Sequence, residues 1–261
     1  MHSLRRTEHM IQSPKTSRVF AGNAEIDFAL QCVSNEDRAI FVVDKKRSLD
    51  SIRVINHARA STLANEVLIH VSRLSPLGLS TLVEMLDSLK TSLSSAQLFA
   101  LAHDLEEHIH CQALLKSVSK LQVATPSLIQ HFMGWWPSTK FIAEAHGPVV
   151  SAAKMQVDDD ILAFDEPQVL VIQEDPPESS QQFLSDLIDV AQPSTVIYRS
   201  LAKTEYWGNS PELQWCFAPA NLHAFTDSIE RTSERCRWCH EDFVPPVCPV
   251  CSSFAPNGEQ A

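Results

Sequence analysis

The sequence predicts an α/β fold with three layers, a mostly parallel sheet and a small cysteine-rich module at the C-terminal end. Three observations carry that expectation. Short continuous apolar runs, such as Ala39-Ile40-Phe41-Val42-Val43 and Val169-Leu170-Val171-Ile172, read as strands buried on both faces. Segments with apolar residues at helical spacing lie between such runs. Strand-like and helix-like stretches alternate over roughly 180 residues, the order that packs helices on a parallel sheet.

Residues 1–17 carry Arg5, Arg6 and Lys15 but no apolar core segment, so they are expected as a flexible basic arm and not a secretory leader. The α/β domain is expected over residues 18–233, starting with a strand at Ala39–Val43 that ends at Asp44. A helix follows through Ile52, Ile55 and Ala58, and then a β-branched strand at Glu66–Val71. Ser75-Pro76-Leu77-Gly78 breaks the pattern. The clearest helical stripe is Leu79, Leu82, Val83, Leu86, Leu89 and Leu93, with Thr81 and Glu84 placed as a capping box. Alternation then favours a strand at Gln97–Ala102, a helix from Asp104 to Lys120 and a short strand at Leu121–Ala124. Val169–Ile172, a helix opened by Ser179-Ser180 and closed by Pro193, and Thr195–Tyr198 form a βαβ unit. The aromatic-rich stretch with Tyr206, Trp207, Trp215 and Phe217 reads as loops or an edge strand, before a last helix over about Asn221–Ser233.

The strongest chemical signal is Cys236-Arg237-Trp238-Cys239 followed, eight residues on, by Cys248-Pro249-Val250-Cys251. Each Cys-x-x-Cys turn supplies two sulfurs to one tetrahedral ion, and two turns fill the shell. A full shell leaves no position for water or substrate, which points to a structural metal. Iron of the rubredoxin type uses similar knuckles with glycines near the sulfurs, where this chain has His240 and Ser252. The segment over residues 234–261 resembles a short zinc ribbon, and the resemblance implies structural Zn2+ on Cys236, Cys239, Cys248 and Cys251. Zinc ribbons serve in many unrelated proteins that bind nucleic acid or other proteins, so the resemblance names a module alone.

A formal net charge of -11 argues against general affinity for nucleic-acid backbones, which need a basic face. The ribbon adds no local positive charge: Arg231, Arg235 and Arg237 face Glu230, Glu234, Glu241, Asp242 and Glu259. No apolar run reaches the length of a membrane span. Cys32, Cys111 and Cys216 lie scattered outside the knuckles, which suits a reducing, cytoplasmic setting. With 6 glycines and no Gly-x-Gly-x-x-Gly or Walker loop, a phosphate cradle is not expected.

Three further features bear on function. His103, Glu107 and His110 share a face if residues 103–111 are helical, a metal-compatible spacing whose plainer reading is a polar, solvated helix. Asp44, Asp104, Glu174 and Asp175 stand near strand ends, where carboxylates of α/β enzymes gather around Mg2+. That layout resembles, in arrangement alone, a PIN-type nuclease joined to a zinc ribbon. Trp135 and Trp136 read first as a buried interior or lid cluster, and together with Trp238 they are the candidate contacts for a partner. The reading favoured by the acidic balance and the closed metal shell is a non-catalytic scaffold or adaptor. It would dock a macromolecule, a protein before a nucleic acid, with no membrane role. The alternatives are a metal-dependent phosphodiesterase or a nucleic-acid-binding ribbon protein.

Overall fold

The computed structural model of the chain describes residues 18–21, 38–62, 66–127, 129–130, 140–151, 167–201 and 205–255. The first sheet is parallel throughout, in the order β1 (Arg18–Ala21), β2 (Arg38–Asp44), β3 (Glu66–Ser72), with α1 (Ser48–Thr62) linking β2 to β3. Its centre is β2, whose residues Ala39 to Val43 are almost wholly buried. Alternate side chains leave on opposite faces. Ala39, Phe41 and Val43 pack with Ile55 and Ala58 of α1, whereas Ile40 and Val42 join the main core on the other side.

The second sheet has the order β6 (Val149–Ser151), β5 (Phe141–Glu144), β4 (His110–Leu115), β9 (Leu213–Pro219), β7 (Gln168–Gln173), β8 (Thr195–Arg199). Strands β7 and β8 pair in parallel across α4 (Glu178–Ala191), the βαβ unit legible in the sequence. The remaining pairs of this sheet are antiparallel. Helices α2 (Pro76–Leu89) and α3 (Ser95–Glu107) lie in the middle of the molecule. Helix α2 touches β1 and β2 of one sheet and β4, β7 and β9 of the other, and α3 touches β2 and β3. Each sheet therefore has helices on both faces. The expected α/β layering is met twice, with α2 shared between the two sheets. A last helix, α5 (His223–Thr232), leads into the short antiparallel pair β10 (Glu234–Arg235) and β11 (Asp242–Phe243).

The local chemistry explains where the sequence reading is corrected. Ser75-Pro76 starts α2 instead of breaking it: Ser75 Oγ accepts from Gly78 N at 3.3 Å, and Pro76 occupies the first turn, where its missing N–H is no loss. Thr81 Oγ1 donates to the Leu77 carbonyl at 2.9 Å, so the Thr81–Glu84 capping box does not form. Gln97–Ala102 is helical, because Ser94 and Gln97 build the capping box that opens α3. The expected helix over Asp104–Lys120 ends at Glu107, and residues 110–115 become β4, held between β5 and β9. Pairing on both edges overrides local helical preference there. Leu121–Ala124 forms no strand. Strand β9, expected as loop or edge, is central and buried throughout. Its indole can sit inside because Trp215 Nε1 donates to Gln112 Oε1 at 2.9 Å. Trp135 and Trp136 lie outside the described residues.

At Gly78 the middle layer comes close to the second sheet. A Cβ there would stand 2.3 Å from Cys111 Sγ and 3.2 Å from Leu74 Cβ. Gly78→Ala gains helix propensity but overpacks this contact, so it is expected to lower stability by about 1–3 kcal/mol. Adding Cys111→Ala should recover most of that loss. Chemical denaturation of the single and double variants measures both effects; an unchanged midpoint in Gly78→Ala would show that the layers are looser than this packing requires.

Candidate functional site

Beyond the carboxyl end of β3 lies a cleft of about 490 Å³. Ligand sites in α/β proteins favour this position, where helices and loops diverge from the strand ends. Four segments line it: His70 to Leu74 at the end of β3, His103 to Glu107 in the last turns of α3, Ile109 to Cys111 entering β4, and Glu144 to His146 after β5. Its rim is polar, with His70, His103, His110, His146 and Arg73. Its floor is apolar: Leu74, Ile109 and Cys111 belong to the main core built on α2 and α3, and Ala145 packs against it.

The rim is held by side chains from several elements. His70 is buried, with Nε2 2.6 Å from Glu106 Oε2 and no partner for Nδ1. Its ring meets those of His103 and Phe99 edge to face. The other Glu106 oxygen accepts from Arg73 N at 2.7 Å. The Arg73 carbonyl receives Tyr206 Oη at 2.8 Å and lies 3.1 Å from His146 Nε2. His146 itself adopts a left-handed backbone, φ 62°, and donates N–H to the Val123 carbonyl at 2.7 Å. The backbone of Arg73 is thus pinned from three directions while its side chain remains exposed. Glu144 Oε1 stands 3.2 Å from His110 Nδ1. Burial, together with neighbouring His70, holds His103 below its ordinary value against the pull of nearby carboxylates.

The second constellation is the cysteine module. Sγ atoms of Cys236, Cys239, Cys248 and Cys251 all lie within 4.8 Å of one another. Cys236–Cys251 and Cys239–Cys248 are each 3.5 Å apart, close to the ~3.8 Å that separates thiolates around zinc at normal bond lengths. The two knuckles repeat one backbone design. His240 N donates to Cys236 O and Ser252 N to Cys248 O, while Cys236 N donates to Glu241 O and Cys248 N to Ser253 O. His240 and Ser252 both take positive φ, 60° and 59°, where rubredoxin-like turns use glycine. Burial raises the Cys236 thiol, but the Ser253 hydroxyl and the N–H groups of Cys239 and Trp238 outweigh it and bring it to about 6. These four residues can bind a metal ion.

The module is seated on the body. Phe243 and Ala255 pack with Cys236, Cys248 and Ala96 of α3. Ser94 Oγ donates to Asp242 O at 2.6 Å, Gln97 Nε2 donates to Ser233 Oγ at 3.0 Å, and Arg38 at the start of β2 forms an ion pair with buried Glu241. Phe243 is buried in this seat, whereas Phe254 and Trp238 are exposed.

The acidic candidates do not assemble. Asp44 accepts from Lys46 N at 3.0 Å, Asp104 is exposed on α3, and Glu174 and Asp175 are exposed after β7. Among the described residues, only the four cysteines bring metal-ligating atoms into one cluster. His103, Glu107 and His110 do share a site, the cleft rim, but from a helix and a strand and not from one helical face. Sequence reasoning missed His70, Arg73, Glu106 and Glu144; the polar run His103–Cys111 was the one signal pointing there.

No protein-family model matches the chain, and no curated protein does. Solved structures do. A Streptococcus pneumoniae Fatty Acid Kinase B3 protein loaded with linoleic acid shares 15% identity at a TM-score of 0.58, over 77% of this chain and 78% of that one. A DegV family protein from Thermus thermophilus described by its fatty acid binding shares 10% at 0.57, over 76% and 78%. A Corynebacterium glutamicum DegV family protein shares 9% at 0.59, over 79% and 98%. At such identities the likeness is one of fold. The expected function is corrected on that likeness, because one of these structures is loaded with linoleic acid and another is described by its fatty acid binding. The expectations of a docked protein or nucleic-acid partner and of a phosphodiesterase are corrected accordingly. The packing is consistent with this, because Phe243 and Ala255 of the cysteine module pack with Ala96 of α3 and the acids stay apart. No helix among the described residues is long and apolar enough to cross a membrane.

Burial pushes the Glu106 carboxyl up, but hydrogen bonds from His70 and Arg73 N outweigh it and hold it below the usual glutamate range. A depressed folded value stabilises the chain above the unfolded pKa of about 4.3, and that stabilisation is lost as pH falls through the folded value. Glu106→Gln is therefore expected to melt below the wild type at neutral pH, with the gap closing in acid. Thermal unfolding followed across this range tests it; a constant gap would remove Glu106 from the acid response.

Proposed function

We propose that the chain binds one long-chain fatty acid in the cleft at the end of α3. The observation that carries this reading is the cleft's division into a polar rim and an apolar floor continuous with the leucine-rich middle layer. An amphiphile fits that division: its carboxylate at the rim, beside Arg73 and the histidines, and its chain against Leu74 and Ile109. A volume of about 490 Å³ lies within the range of small-molecule sites. The solved structures of the same fold that carry linoleic or heptadecanoic acid support the ligand class. Pinning the Arg73 backbone reduces what must be ordered when the carboxylate arrives.

Burying a methylene contributes about 0.8 kcal/mol, so affinity should rise about fourfold per added carbon until the chain outgrows the cleft. Arg73→Ala should weaken binding about tenfold or more through loss of a charged hydrogen bond. Displacement of a fluorescent fatty acid by decanoate through octadecanoate measures both. Absence of uptake across that series by folded protein would overturn the reading.

The four-cysteine module is proposed to hold structural Zn2+ on Cys236, Cys239, Cys248 and Cys251. The near-tetrahedral sulfur spacing and the repeated knuckle backbone favour it. The free thiols elsewhere suit a reducing compartment such as the cytoplasm. Because the metal binds the folded form alone, zinc at about 1,000-fold over its Kd contributes about 4 kcal/mol. Chelation or Cys248→Ser should lower the melting temperature and release one equivalent of zinc, read with a colorimetric chelator. A melting temperature indifferent to chelation would exclude a structural metal.

A further inference from the structure

Antiparallel register places Cys111 of β4 opposite Cys216 of β9. In an antiparallel strand the N–H and C=O of one residue point to the same neighbour. The Cys111 carbonyl accepts from Ala145 N, on the β5 side. Leu114, three residues on and so turned the other way, accepts from Glu212 N at the entrance to β9. Cys111 and Cys216 are therefore a non-hydrogen-bonded pair, the closer kind, with Cα atoms about 4.5 Å apart. A disulfide spans about 4.4–6.8 Å between Cα atoms.

Both side chains are on the same face of the sheet, in the core beneath α2, and both are free thiols. Thr81 Oγ1 lies 3.5 Å from Cys216 Sγ. Neighbouring Cys216, with help from Ser75, holds the Cys111 thiol below its ordinary value against the opposing effect of burial. Cys111 also lines the cleft, whereas Cys216 does not. A small oxidant entering the cleft thus meets the more acidic thiol first, with its partner directly behind.

The geometry points to Cys111 and Cys216 as an oxidative modification site, a cross-strand disulfide formed by a hydroperoxide. The Cys111 thiolate attacks a peroxide oxygen and the O–O bond breaks. Cys111 becomes a sulfenic acid, and the departing hydroxide takes up the proton that Cys111 released. The Cys216 sulfur then attacks the Cys111 sulfur, the S–O bond breaks, and the second hydroxide leaves with the Cys216 proton as water. Two thiols and one hydrogen peroxide give one disulfide and two waters, the thiols losing the two electrons that the peroxide gains.

The experiment treats the zinc-loaded full chain with one equivalent of hydrogen peroxide, blocks remaining thiols by alkylation in denaturant, and maps peptides without reduction. The expected result is a mass lower by two hydrogens and a Cys111 peptide joined to a Cys216 peptide, both reversed by dithiothreitol. Cys216→Ala, checked for folding by its melting curve, should lose the linked peptide and retain oxidised Cys111. The wild-type map decides the matter even if that variant does not fold. Full alkylation of Cys111 and Cys216 while the ribbon cysteines or Cys32 carry the oxidation would overturn the proposal, as would sulfinic acid on Cys111 with Cys216 still reduced. None of these readouts requires a fatty acid, so failure here and failure of lipid binding are separate results.

Discussion

Helix α2 buries Leu77, Leu82 and Leu86 completely while touching strands of two separate sheets. Most helices in an α/β protein press one apolar stripe on one sheet and show their other side to water. Here both sides are used, and each fully buried leucine contributes about 1.5–3 kcal/mol. The spacing of the sheets, the contact of Gly78 with Cys111 and the depth of the cleft floor all follow from that doubled burial. The cleft exists because α3, lying beside α2, ends at Glu107 just where β3 and β4 present their ends.

Much of the fold was legible where local signals and tertiary environment agree. The runs at Ala39–Val43 and Val169–Ile172 are buried strands because apolar continuity leaves them no exposed face. The stretch from Gln97 to Leu115 was misread because apolar alternation and helical spacing are nearly degenerate over so few residues. The side chains that decide it are Ser94, which caps α3, and the distant partners of β4 on both edges. Strand β9 was misread for a related reason. Aromatic residues suggest an edge until Gln112 is known to stand across from Trp215. The cleft was the least legible part, since His70 with Arg73, Glu106, and Glu144 come from three separate segments and carry no shared motif.

The cysteine spacing stated its chemistry without help from the rest of the chain. What it could not state was where the module rests. Phe243 and Ala255 cover Ala96, and Glu241 reaches back to Arg38, so a segment that looked like a detachable docking module is an integral part of the surface of the body. Positive φ at His240 and Ser252, at equivalent points of the two knuckles, shows that both turns take the left-handed conformation without glycine.

Helix α3 carries this further. Its first turn holds Ser94, Ala96 and Gln97 against the cysteine module, and its last turns give His103, Glu106 and Glu107 to the cleft. Over its 13 residues it is a rod of about 20 Å. A rod gripped at one end cannot tilt freely at the other. The cysteine module thus grips the first turn of the same helix whose last turns furnish part of the polar rim.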